Sequence, residues 1–182
     1  DLWIYNYVTL VHTETLTQIF FFITNLFSSL NIFLLAIGLL LALLLKRKWE
    51  HAYILVFSLL GGVIVETLLK LIIQRERPLP SLITETGFSF PSGHATMSTI
   101  FLVLLIYAYK NEIKSLCWRN IFIALAVGGF FAVAISRVYL GVHWASDVIA
   151  GIALGLFWLT LLINATRVLN HFQKNKSLVT DV

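Results

Sequence analysis

Cysteine is nearly missing from this chain: Cys117 stands alone among 182 residues. No intrachain disulfide can form, and its setting, KSLCWRN, has no metal-ligand spacing. Charge is also scarce. Only 12% of the residues are charged and 59% are hydrophobic, against about 25% charged in ordinary globular domains, which excludes a water-soluble domain. Segments of alternating polarity, the mark of a transmembrane β-barrel, are lacking too. Low-complexity linkers and a second block of composition are absent as well, so 1–182 reads as a single integral membrane domain.

Long apolar runs fill the space. They cover 30–45, 51–69, 93–109, 120–136 and 144–163, each near the roughly 17 to 25 residues that a spanning helix needs. Helices satisfy every backbone group inside hydrocarbon. The expected fold is therefore all-α, a polytopic transmembrane helix bundle with five spans. Before them, LTQIFFFITNLFSS predicts an amphipathic helix in the membrane interface, or else the start of one long tilted helix over 19–45.

Basic residues divide unevenly between the two ends. Lys46, Arg47, Lys48, Lys110, Lys114, Arg119, Arg167, Lys174 and Lys176 share one side by the parity of the spans, and Lys70, Arg75, Arg77 and Arg137 share the other. The positive-inside rule makes the poorer side extracytoplasmic. A multi-pass protein of the cell membrane is expected, with a bilayer as its partner and no nucleic acid.

Three polar clusters converge on that poorer side: KLIIQRERP at 70–78, PSGH at 91–94 and SRVYLGVHWASD at 136–147. Lys70 and Arg77 are seven apart, two turns, and so share a face if the helix runs on until Pro78 ends it. Arg75 and Glu76 then fall on other faces, outside the site. Ser92 is placed to cap the next helix, Gly93 would let a ligand approach the backbone, and the free N–H groups there suit an anion. His94, in the first turn, would reach that anion as a proton or hydrogen-bond donor.

His143 and Asp147 are four apart, so the carboxylate can take the N–H of one imidazole nitrogen and leave the other as nucleophile or base. Taken singly, these clusters also fit snorkelling cations, a plain helix cap and a structural His–Asp pair. Taken together, Lys70, Arg77 and Arg137 against Asp147 leave an excess of positive charge suited to a phosphate dianion. Spacing alone leaves open which histidine attacks. No cluster of carboxylates suggests Mg²⁺, and no metal or other cofactor is expected.

These clusters resemble the motifs of the type 2 phosphatidic acid phosphatase family, K-x6-R-P, P-S-G-H and S-R-x5-H-x3-D. They read here as Lys70 with Arg77 and Pro78, then Pro91 to His94, then Ser136 and Arg137 with His143 and Asp147. The resemblance extends to the family's compact bacterial branch, which acts on phosphatidylglycerophosphate and undecaprenyl pyrophosphate. It implies a lipid phosphate phosphatase working through a phosphohistidine without metal. His143 would be the nucleophile, Asp147 would orient it, and His94 would protonate the leaving oxygen. Lys70, Arg77, Ser92, Gly93 and Arg137 would hold the phosphoryl group. It also implies six spans, the sixth expected before Asp1.

A phosphotransferase with the same site, or an anionic lipid transporter, are the alternatives; a transporter would place polar groups at the membrane midplane. Leu79, Leu82, Ile83, Phe88, Phe90 and Trp144 are expected to line a lipid entrance. Glu66, one turn before Lys70, is expected to pair with it. Gly61, Gly62, Gly128, Gly129, Gly151 and Gly155 are expected at close helix contacts. His12, His51 and His171 are assigned no role.

Overall fold

The computed structural model describes residues 1–180, with side chains as far as His171. The side chains of Lys174 and Lys176 lie outside the described residues. Seven helices follow in order: α1 (Leu2–Leu10), α2 (Glu14–Leu26), α3 (Ser29–Leu45), α4 (Trp49–Ile73), α5 (Gly93–Tyr109), α6 (Leu116–Tyr139) and α7 (Ala145–Thr180). Among the described residues there is no strand. Each of the five apolar runs is helical. Helices α4, α6 and α7 are long and apolar enough to cross a membrane singly, whereas α2 and α3 qualify as one pair bent by 46°. The chain is a multi-pass membrane protein.

The bend answers the question left at 19–45. A single tilted helix does not form, because the chain stops and restarts at Phe27 and Ser28, and the amphipathic segment is a helix of its own, α2. The Ser28 hydroxyl accepts the N–H of Asn31, and the Asn31 amide donates to the Asn25 carbonyl at 2.7 Å. These short polar side chains supply the bonds that an interrupted helix loses. Helix α1, unforeseen in the sequence, packs on α6.

Helix α5 runs through the middle, against α3, α4, α6 and α7. Ala95, Ile100, Leu102 and Leu104 are buried on it together with Thr96, Ser98 and Thr99. Those hydroxyls donate to carbonyls one turn back, at 3.0, 2.6 and 2.6 Å. A polar group satisfied within its own helix can enter a core without stranding a donor.

Glycine brings α7 against α5. A Cβ on Gly151 would lie 2.5 Å from the Ser92 carbonyl oxygen, and one on Gly155 would lie 2.9 Å from that of Thr96. Gly61 likewise accommodates the Trp158 ring and Gly62 the Ile100 side chain. The expected close contact at Gly128 does not occur, since nothing lies within 4 Å of its Cβ position, and Gly129 meets its neighbours at an ordinary 3.7 Å.

The two ends of the bundle differ. At one, Lys46 and Lys48 both reach Glu112 at 2.6 Å. At the other, the 74–92 loop meets the 140–144 link, where the Leu82 N–H donates to the Leu140 carbonyl at 3.0 Å. Gly151→Ala forces backbone apart and is expected to cost about 1–3 kcal/mol, while Gly128→Ala, in open space, is expected to be neutral or stabilising by up to about 1 kcal/mol. Unfolding of both variants in detergent checks the contrast.

Candidate active site

All three motif clusters meet at the second end. Helix α4 supplies Glu66 and Lys70 from its last turns, the 74–92 loop supplies Arg75, Arg77 and Glu85, and the start of α5 supplies Ser92, Gly93 and His94. The last turn of α6 supplies Arg137, the link after it His143, and the first turn of α7 Asp147. Gly141 makes that link possible: at φ 70° it turns the chain, and a Cβ there would lie 3.3 Å from the Pro80 carbonyl oxygen.

Lys70 and Arg77 converge by a different route from the one expected. Helix α4 stops at Ile73, with Gln74 in the left-handed conformation, rather than running to Pro78. Lys70 therefore points from a helix and Arg77 from the loop that follows it. Lys70 pairs with Glu66 at 3.3 Å, as expected, and donates to the Phe88 carbonyl at 2.9 Å. Arg77 donates to the carbonyls of Gly87 at 3.0 Å and Val142 at 2.8 Å, and its Nη1 stands 3.2 Å from Nε2 of His143.

That last contact fixes the imidazole. A guanidinium only donates, so Nε2 accepts and the ring proton is on Nδ1, which faces Oδ2 of Asp147 at 3.6 Å. The nitrogen with the free electron pair is thus the one turned toward the cations. His143 is 2% exposed, and burial, with Asp147 pulling the other way and Arg137 adding to it, pushes its pKa down to about 4. It is neutral at ordinary pH.

Asp147 is fully buried. Its Oδ2 accepts the Trp144 N–H at 2.9 Å, and its Oδ1 accepts Nη1 of Arg75 at 2.6 Å. Arg75 therefore belongs at the site, contrary to its helical-wheel assignment, because the helix ends before it. Arg137 is fully buried as well; it donates to the Thr24 hydroxyl at 2.7 Å and pairs with Glu85. Glu85 also stands 3.4 Å from Arg77. Burial raises the Glu85 carboxyl, but Arg137 overrides this and holds it below the ordinary glutamate range.

Ser92 occupies the cap position of α5, yet its hydroxyl makes no cap bond and is buried without a partner, while its N–H donates to the Asp147 carbonyl at 3.0 Å. Gly93 lines the cavity and also leaves room for a neighbour: a Cβ there would lie 2.8 Å from Oε1 of Glu66. Nε of Arg137 and Nδ1 of His143 also lack hydrogen-bond partners.

The pocket opens into a cavity of about 480 Å³. Lys70, Arg77, Glu85, His94 and His143 line one part, and Ile32, Phe33, Leu59, Leu60 and Val63 line the rest. The loop residues expected at an entrance do not line it; α3 and α4 do. Leu79 is exposed, Ile83 packs on Tyr139 and Leu140, and the Trp144 indole donates to the Glu76 carbonyl. Glu85 and Thr24 escaped the sequence reading, and Arg75 was placed outside the site by it. Glu85 stands in the sequence as an acid between two basic clusters.

Fold and pocket define a membrane-embedded helix bundle with a cluster of cations and histidines at one end that is continuous with an apolar cavity. The PAP2 superfamily matches residues 51–170, all three clusters included, and the chain belongs to that superfamily. It is 30% identical over 133 residues to phosphatidylglycerophosphatase B of Bacillus subtilis, covering 71% of this chain and 64% of that protein. It is 35% identical over 130 residues to an undecaprenyl-diphosphatase of Sulfolobus acidocaldarius, covering 67% and 58%. The matches thus span about three fifths of those relatives.

A crystal structure described as the first transmembrane PAP2 type phosphatidylglycerolphosphate phosphatase, from Bacillus subtilis, superposes with a TM-score of 0.78 at 28% identity, over 90% of this chain and 83% of that one. The bundle architecture expected from the apolar runs agrees with that fold.

The lowered His143 pKa has a readable sign. The unfolded chain takes the proton first, so the group costs stability as pH falls from about 6.5 toward 4. Histidine NMR is expected to show His143 titrating near 4; a midpoint above about 6 contradicts the burial argument.

Proposed function

We propose that the chain is a lipid phosphate phosphatase that acts through a phosphohistidine on His143, without a metal ion. One observation carries the reading: a neutral imidazole offers its free nitrogen to a cationic pocket whose cavity continues between apolar helices. Polar headgroup and apolar tail each have matching walls. The named activities of the relatives support the same class, on phosphatidylglycerophosphate and undecaprenyl diphosphate.

Lys70, Arg77 and Arg137 take the oxygens of the phosphoryl group, with the Ser92 hydroxyl and the open amides of the first turn of α5, Gly93 included, beside them. Nε2 of His143 then bonds to phosphorus as the bond to the leaving oxygen breaks, and His94 gives that oxygen a proton. Asp147 stabilises the charged ring that results. Water next bonds to phosphorus, passing a proton to His94, and the N–P bond breaks to release phosphate.

The positive charges spread over the equatorial oxygens supply what a metal supplies elsewhere. Among the described residues no group of three or more His, Cys, Asp or Glu gathers that would hold one. The extracytoplasmic leaflet is the proposed side, because the opposite end carries most of the basic residues.

Purified protein in excess chelator is expected to release phosphate from these lipids, and His143→Ala to lower kcat by at least about 10³-fold. Loss of wild-type activity in chelator, or retention of it in the variant, contradicts the mechanism. Val63→Trp, which narrows the cavity between α3 and α4, is expected to raise KM for a long-chain lipid phosphate several-fold and to leave a short water-soluble phosphate ester unaffected. An equal effect on both substrates places the tail elsewhere.

A further inference from the structure

We propose that Arg75 is a positioning residue, which holds the Asp147 carboxylate in register behind His143 and is itself held by Asp1. The proposal rests on the roles given above to His143 and Asp147.

A fully buried carboxylate must be paired, or it gives up its charge. The three motif cations are engaged elsewhere: Lys70 with Glu66 and the Phe88 carbonyl, Arg77 with loop carbonyls, Glu85 and His143, Arg137 with Glu85 and Thr24. Among the described residues the ion pair to Asp147 comes from Arg75, at 2.6 Å on Oδ1. With the Trp144 N–H on Oδ2, two bonds fix the carboxylate plane, and Oδ2 is left turned to Nδ1 of His143.

Arg75 is fixed in turn. Its Nη2 meets Oδ2 of Asp1 at 2.8 Å, its Nη1 also reaches the Ser146 hydroxyl at 2.6 Å, and its guanidinium carbon stands 5.5 Å from the centre of the Trp144 ring. Asp1 additionally accepts the Ser146 N–H at 2.9 Å, which puts an anion at the start of α7. The planar fork bridges two carboxylates, a task for which a lysine has the charge and lacks the geometry. Arg75 does not line the cavity, so it acts on the imidazole through Asp147 and not on the substrate. When Nε2 takes a phosphoryl group the ring becomes cationic, and the carboxylate behind it must be ionised and aligned at that moment.

Arg75→Ala is expected to lower kcat about 10–100-fold, the usual cost of losing a group that orients a reacting ligand, with KM within about 3-fold. In an Asp147→Asn background the same change is expected to cost under about 3-fold, since its target is gone. A rise in KM at constant kcat, or an equal loss in both backgrounds, overturns the proposal. Arg75→Lys retains the cation if the alanine variant does not fold, and its kcat is expected to lie well below wild type; wild-type kcat there overturns the need for the fork. Nitrogen-15 histidine NMR of the substrate-free protein supplies an arm independent of activity. Arg77 keeps the ring protonated on Nδ1 in both proteins, and the chemical shift of Nδ1 and its proton, which face Asp147, is expected to move in Arg75→Ala; an unchanged spectrum overturns the proposal. A protein that hydrolyses no lipid phosphate but shows the spectral change removes the functional reading and leaves Arg75 in its place.

Discussion

Backbone contact between α5 and α7 is the constraint on which the rest depends. Gly151 and Gly155 remove the side chains that would hold these helices apart. The Ser92 N–H then reaches the Asp147 carbonyl, joining the PSGH turn directly to the helix that carries the acid. Two motifs separated by two helices, α5 and α6, become one surface. In lipid, where apolar surface gives helices little reason to prefer one another, such small-residue seams decide which faces meet.

The seam creates an electrostatic problem that the loops resolve. Arg137, His143 and Asp147 are all essentially buried, and each has an answering group: Glu85 for Arg137, Arg75 for Asp147, and burial itself keeping His143 neutral. Under the proposed function, an entering phosphate would compete with Glu85 for both Arg77 and Arg137.

Much of this was legible in the sequence, for identifiable reasons. Apolar runs report spanning helices directly, since the bilayer dictates their length, and parity then places 70–78, 91–94 and 136–147 at one end without any packing detail. Residue type and spacing identified Lys70, Arg77, His94, Arg137, His143 and Asp147, all of which the structure brings to one end of the bundle. Extrapolating a helix failed. Gln74 leaves the helix in a left-handed turn that periodicity cannot foresee, and so Arg75 was assigned to the wrong face although Arg77 was not. Glu85 and Thr24 were missed because loop paths and the bend at Phe27 follow tertiary contacts. The entrance was sought in loop aromatics for the same reason, while the cavity walls are the facing sides of α3 and α4.

That cavity changes what concentration means for this protein. A molecule reaching the pocket between two membrane helices stays within the plane of the bilayer, and its rate of encounter is governed by molecules per unit area. Adding inert lipid dilutes such a ligand even when the volume of water is fixed, so the natural unit for its half-saturation is a mole fraction. Under the proposed function, phosphate would by contrast leave into the aqueous phase, and the two products would part into media that do not mix.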